Sequence, residues 1–433
     1  MSVGIISIIL VVVLFVFLAT GLEIAASIGL VSVIGLLVFT DQPLYNFAGQ
    51  LWSVTNSFIL TAVPLFIFMA EIFSRSGLSG KLFWAIDRWI SFLPGGIACT
   101  VIGASSIFAA ITGSSVASAA TMGSVAMDPM KERKYHMRLT FGVIASGGTL
   151  GILIPPSLVM IIYGAFTGHS VGRLFAAGII PGLLLASTFL LLIIISVKVR
   201  PELAPQKPQG YSWKERLISL GELIPSFLLI FIVLGGIFGG VVTPTEAAAV
   251  GCVGAALIAL AYRMLTWKII WMSAESALRT VSMIMLVAVF ARVLSFLLQY
   301  LGLGEMFSNI IIDADLGKYG TLALIFGMYL ILGMFFEGLS MMILTLPFVM
   351  PIIYALGLSG YWFAVPLVIM VEASLISPPV GLNLYVLQSL SPEHDVLEVA
   401  LGALPFFIPM LIVVAIVSVY PQIVTWLPGI IYH

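Results

Sequence analysis

The chain has 433 residues, of which 61% are hydrophobic and 9% charged, with a net charge of −1 and a mean hydropathy of +1.19. A water-soluble domain carries about 25% charged residues, so a soluble enzyme, a nucleic-acid binder with a basic face and a disulfide-stapled secreted domain are all excluded. The two cysteines, Cys99 and Cys252, stand in apolar context and support neither a thiolate metal cluster nor a disulfide framework.

Apolar segments of about 17–25 residues can cross a bilayer as helices. The first, Val3 to Ala19, has no basic region before it and no clear small-residue cleavage site, so it reads as a retained helix. In chain order the predicted spans are 4–19, 22–39, 57–73, 138–166, 172–197, 222–241, 246–262, 280–298, 361–388 and 396–425. Two further apolar stretches, 95–127 and 321–351, are interrupted near their centres, by Thr112-Gly113-Ser114-Ser115 and by Glu337-Gly338-Leu339-Ser340. Half-helices meeting at a polar turn predict re-entrant hairpins. Broken backbone at membrane depth is tolerated where protein or a water-filled cavity surrounds it.

A hairpin makes no net crossing, so only the ten spans alternate sides. On that topology 15 of the 18 basic residues share one side, and only Arg173, Arg292 and Lys318 lie elsewhere. The positive-inside rule makes that side cytoplasmic. Both termini are then expected outside, with the first hairpin opening to the cytoplasm and the second to the exterior.

The chain resembles itself at an offset of 223–225 residues. Thr20-Gly21-Leu22-Glu23 matches Thr243-Pro244-Thr245-Glu246, and each reads as a capping box opening a helix. Gly77-Leu78 matches Gly302-Leu303, Gly113 matches Gly338, and Pro155-Pro156 matches Pro378-Pro379. Each half has five spans and one hairpin, so the second copy is inserted upside down. The expected fold is an all-α polytopic membrane protein: a first inverted repeat over 1–197, a cytoplasmic linker over 198–219, and a second repeat over 220–433. Inverted repeats with broken helices mark secondary transporters that bind substrate near the midplane. The segments 75–93 and 300–318 mix charges with aromatics (Trp84, Trp89, Phe92; Tyr300, Phe307) and are expected in the interface plane.

The string Val242-Thr243-Pro244-Thr245-Glu246-Ala247-Ala248-Ala249, the hairpin tip Thr112-Gly113-Ser114-Ser115 and Gly151-Ile152-Leu153-Ile154-Pro155-Pro156-Ser157 resemble the large membrane (M) subunit of tripartite ATP-independent periplasmic (TRAP) transporters. The resemblance covers essentially the whole chain. It implies an elevator-type, sodium-driven importer of small organic anions in the inner membrane. It also implies two partners, a small membrane (Q) subunit and a periplasmic substrate-binding (P) protein, neither of them fused here. No cofactor is expected beyond the sodium ions. Glu337 stands where the family more often carries Asp, which bears on ion-site geometry. The alternative is a single-component sodium/carboxylate symporter, which needs no binding protein.

Hairpin tips collect half-helix termini, whose carbonyls and neighbouring hydroxyls can hold a cation. In the first half the candidates are Thr112, Gly113, Ser114 and Ser115, facing the break with Gly147, Thr149, Pro155 and Pro156. In the second half they are Glu337, Gly338, Ser340 and Thr345, facing Ser377, Pro378, Pro379 and Asn383. Small and hydroxyl residues also permit close helix packing, but packing alone does not predict breaks related by the repeat. Glu23 and Glu246 read as caps. Arg292 can snorkel to the outer surface or attract an anion. Glu71 is expected to reach water, and Glu372, on the ninth span, can do the same. His136, His169, His394 and His433 fall in loops or at the end, so no histidine proton relay is expected. Gly80-Lys81 lacks the spacing of a phosphate loop, and Gly103-Ala104-Ser105 has no histidine to activate a serine, so no enzymatic reading stands.

Overall fold

The structure is a computed structural model that describes residues 3–41, 43–205, 210–303, 306, 316–336, 338–379 and 381–432. Glu337, Phe307, and Lys207 and Pro208 of the linker lie outside the described residues. Among the described residues there is no strand. The helices are α1 (Val3–Ala19), α2 (Ile24–Phe39), α3 (Pro43–Thr55), α4 (Ala62–Arg75), α5 (Leu78–Ile90), α6 (Ile97–Thr112), α7 (Ser115–Glu132), α8 (Met137–Leu153), α9 (Leu158–Thr167) and α10 (Val171–Val199). They continue with α11 (Trp213–Phe238), α12 (Pro244–Ala261), α13 (Trp267–Tyr300), α14 (Gly317–Gly333), α15 (Gly338–Ala355), α16 (Gly360–Leu375), α17 (Leu382–Leu390), α18 (Val396–Val419) and α19 (Gln422–Ile431).

Seven helical stretches among the described residues are long and apolar enough to cross a membrane, counting Met137–Thr167 as one and including α15. An eighth is possible if α4 and α5, bent by 69° at their junction, form a single broken span. The bend follows from Gly77, whose φ of +76° ends one helix and starts the next. α5 buries Leu82, Phe83, Ala85, Ile86 and Asp87 and packs on α6 and α11. α3 is not among the predicted spans: it mixes Asn46, Gln50 and Ser53 with exposed Tyr45 and Trp52, which hides it from a hydropathy reading.

Two expectations about helix starts part company. Thr243 and Glu246 form the capping box: the Thr243 hydroxyl accepts from the Glu246 amide, and the Glu246 carboxylate accepts from the Thr243 amide at 2.7 Å. Thr20 and Glu23 do not. Glu23 is itself the residue before α2 and makes no side-chain cap, and the Thr20 hydroxyl turns back to the Phe17 carbonyl. Gly21, at φ +83°, folds the chain over between them, so the helix begins three residues later than the motif requires. The last part of the expected linker, from residue 213, is helical. α11 starts at Trp213 behind a Ser212–Glu215 capping box, and Tyr211 donates to the buried Asp87 at 2.6 Å, which in turn accepts from Thr100 of α6.

The helices pack in two groups. α2, α3, α4 and α13 pack together, with α12 on α4 and α11 on α12. α6 to α10 pack with α16 to α19. Where α8 crosses α18, glycine faces glycine: a Cβ on Gly142 would run into the Gly402 carbonyl, and one on Gly402 into the Arg138 carbonyl. The two backbones therefore touch with no side chain between them.

Candidate functional site

The Thr112-Gly113-Ser114-Ser115 quartet makes the first hairpin turn because each residue has a separate job. Gly113 takes a left-handed φ of +59° and closes α6. Ser114 opens α7, its hydroxyl accepting from the Ala117 amide. Thr112 and Ser118 hydroxyls are 2.8 Å apart across the turn. The following span is broken by Pro155-Pro156, a cis pair, between α8 and α9, and Ser157 caps the new helix through the Met160 amide. The tip is seated on this break. The Leu158 amide donates to the Gly113 carbonyl at 3.2 Å, and a Cβ on Gly113 would stand 2.6 Å from the Pro156 carbonyl oxygen. Gly151 packs as closely on the Ser114 carbonyl.

The C-terminal stretch has the same order of elements. α14 and α15 form a hairpin, and α16 and α17 are separated by the cis pair Pro378-Pro379. Gly333 and Gly338 bring this hairpin against Ser374 and Val371 of α16. The Glu337 expectation lies outside the described residues. Ser340 is buried. Thr345 is not at the tip: its hydroxyl lies 2.5 Å from the Tyr329 hydroxyl, inside the hairpin. Ser377 donates to its own helix at Ala373, as Thr149 does at Ser146. Gly147 serves packing, with Ser105 where its Cβ would be.

Three residues from three segments converge on the first hairpin tip. Asn383, at the start of α17, donates from Nδ2 to the Ser115 hydroxyl at 2.8 Å. Its Oδ1 has no partner among the described residues although the side chain is fully buried. Glu372 of α16 is fully buried too, and among the described residues neither carboxylate oxygen completes a hydrogen bond. Ser115 and the Ile152 backbone approach it. Glu372 was expected to be able to reach water, and the structure overturns that. α16 is buried along nearly its whole length between α14, α15, α18 and α8, and among the described residues the Glu372 side chain has no exposed surface. Sequence reasoning left Glu372 out of the candidate site, but a signal was there. Aligning Pro378 with Pro155 places Glu372 on Thr149, a residue already singled out.

An ionised carboxylate out of water costs several kcal/mol unless something compensates it. Here the neighbouring unpaired atom, Asn383 Oδ1, is another acceptor. Glu372 and Asn383 thus leave three oxygens without a completed hydrogen bond among the described residues, and oxygens are what a hard cation takes.

Packed helices long and apolar enough to cross a membrane, interrupted by two hairpins and two proline breaks around buried polar groups, define a polytopic membrane protein. The chain belongs to the family described as "Tripartite ATP-independent periplasmic transporter, DctM component", whose model matches residues 11–423. It is a large permease subunit and not an enzyme. It is 33% identical to the C4-dicarboxylate TRAP transporter large permease protein DctM of Vibrio cholerae, over 95% of each chain. It is 30% identical to the sialic acid TRAP transporter large permease protein SiaM of the same organism, over 90% of this chain and 91% of the other. Among solved structures, the YdaH transporter of Alcanivorax borkumensis shares the fold at a TM-score of 0.64 and 14% identity, over 89% of this chain and 90% of the other.

Proposed function

We propose that this permease imports a small organic anion by sodium symport. It receives the anion outside the inner membrane from a periplasmic binding protein, and it works beside a small membrane subunit. The observation that carries the sodium reading is the buried set of Glu372, Asn383 Oδ1 and Ser115. A sodium ion there offsets the burial of the carboxylate and draws the first hairpin and the second break together. The self-similarity at 223–225 residues and the basic residues massed on one side support an inverted repeat with both termini outside. The separate packing of α2, α3, α4 and α13 supports a static group against which the hairpin-bearing group moves as an elevator. The carboxylate cargoes named for two relatives, a C4-dicarboxylate and sialic acid, support an organic anion as substrate.

The test is initial uptake in proteoliposomes holding both membrane subunits, with the binding protein outside and sodium varied at fixed pH. Glu372→Gln keeps the shape and deletes the charge. It is expected to lower sodium-driven uptake at least tenfold while leaving the amount of folded protein unchanged. Uptake by Glu372→Gln with wild-type sodium dependence would remove this residue from the ion site. Uptake driven by a proton gradient without sodium would make Glu372 a proton carrier. Robust uptake without the binding protein would favour the single-component symporter.

A further inference from the structure

A second feature lies well away from the hairpin tips. α9, α13 and α15 end close together, and between them is a cavity of about 230 Å³ bordered by Phe166, Thr167, Arg292, Gln299, Met350 and Tyr354. That volume holds a carboxylate group and a few carbons: at about 30 Å³ per water it has room for about seven waters. It is a different place from the ion cluster. Met350 lies against Gly360 of α16, and Gly360 is twelve residues along that helix from Glu372, about 18 Å at helical rise.

Among the described residues Arg292 brings the only charge to this lining. Among the described residues it has no ion pair and no hydrogen bond, whereas Arg75, Arg88, Lys131 and Arg279 each meet a carboxylate. Its guanidinium carbon lies over the Phe166 ring, 5.8 Å from the ring centre and within cation–π range. Snorkelling to open water does not need such a cavity, a flanking aromatic face, or the hydroxyl of Tyr354 and the amide of Gln299 on the same wall. The charge map puts this end of the three helices on the outer side, where Arg292 is one of only three basic residues.

We propose that this cavity is a carboxylate-binding vestibule, in which Arg292 engages the anionic group of the incoming substrate with a two-pronged hydrogen bond before the substrate reaches the hairpin tips. A guanidinium suits this because its geometry matches a carboxylate's two oxygens. The vestibule lies between α13, which packs with α2 and α4, and α15, an arm of the second hairpin. It therefore joins the group proposed to stay still to the one proposed to move. The inference rests on the import of an organic anion.

Phenylglyoxal, which modifies accessible guanidinium groups, tests the site directly on the purified full chain, with modification at Arg292 read by peptide mass spectrometry. Succinate is expected to slow modification of Arg292 at least fivefold, and succinamide, the same size without charge, to leave it unchanged. Equal modification with and without succinate would overturn the proposal, as would an Arg292 that is never modified. Protection by phosphatidylglycerol micelles alone would assign the cavity to a lipid phosphate and overturn it as well. In uptake, Arg292→Gln should raise the half-saturating concentration of the binding-protein–substrate complex at least fivefold with sodium dependence intact. Arg292→Lys, which keeps the charge and loses the fork, should fall between the two. If sodium-driven uptake fails in the wild type, the phenylglyoxal result still stands or falls by itself.

Discussion

The two proline breaks share an order of elements and differ in what surrounds them. Pro155 and Pro156 are buried, as is every residue from 151 to 160, and the first hairpin tip is bonded onto that break. Pro378 and Pro379 are exposed, and the second hairpin meets α16 through glycines pressed on side chains. The polar groups that could serve the second break, Glu372 and Asn383, are instead turned toward Ser115 of the first hairpin. Similar backbone order thus does not mean similar chemistry: the closed break supplies a rigid seat, and the open one supplies the carboxylate and amide that reach across to it.

The sharpest way to break this comparison is to add one carbon to each hairpin. Gly113→Ala places a Cβ in a left-handed conformation that costs about 1–2 kcal/mol and drives it against backbone, the Pro156 carbonyl. Uptake should fall to background. Gly338→Ala carries no left-handed φ and meets the Val371 side chain where Gly113→Ala meets backbone, so it should keep a measurable fraction of activity. Thermal unfolding of the two purified variants, read beside their uptake, checks this; equal losses would mean the two hairpins are seated alike.

A smaller effect is expected from the polar groups themselves. Asn383→Leu removes the bond to Ser115, a contact worth about 1–2 kcal/mol, so half-saturating sodium should rise about five- to thirtyfold on that scale. Thr345→Val, at a position whose hydroxyl faces Tyr329 inside the hairpin, should leave half-saturating sodium within about twofold of the wild type. A sodium shift in Thr345→Val as large as that in Asn383→Leu would place Thr345 at the ion site after all.

The smallest expected effect sharpens the comparison at its edge. Lys131, at the end of the first hairpin, pairs with Glu393 in the loop beyond α17 at 2.5 Å. The hydrogen bond from Lys131 holds the Glu393 carboxyl down to about 2 from its ordinary 4.5. A depressed carboxylate stabilises above its ordinary value, and the contribution is lost as pH falls toward the folded value. The loop should therefore loosen only between about pH 4.5 and 2, and Lys131→Met should loosen it already at neutral pH. Hydrogen exchange across residues 391–396 after a brief acid pulse reads both; no difference between Lys131→Met and wild type would show the pair to be idle.

Much of this was legible in the residues. The hairpin at 112–115 announces itself because glycine and serine are at once the signals that stop one helix and start the next. Hydropathy found α10, α12 and α18, whose apolar runs are long and unbroken. It placed the start of α13 late, because Trp267 to Arg279 mixes charges with aromatics, yet the helix runs 34 residues, about 51 Å by its rise. Thr345 and Ser377 are grouped with the tips by residue type, and in the structure each hydroxyl bonds a backbone carbonyl one turn earlier, a contact residue type alone does not reveal. Glu372 escaped because a single carboxylate in an apolar span has no local pattern. What makes it a site is Asn383, eleven residues later, and Ser115, far earlier in the chain.

The glycine seam between Gly142 and Gly402 also bears on how the chain is made. α8 leaves the ribosome and enters the membrane long before α18 is synthesised, so its glycine face must wait with lipid or a chaperone against bare backbone until nearly the whole chain is finished. A translation product cut short anywhere before Val396 lacks more than its last two helices: the seat of the first hairpin has lost the wall behind it. Such fragments should be recognised by membrane quality control as incomplete, even though every helix of the N-terminal half is present.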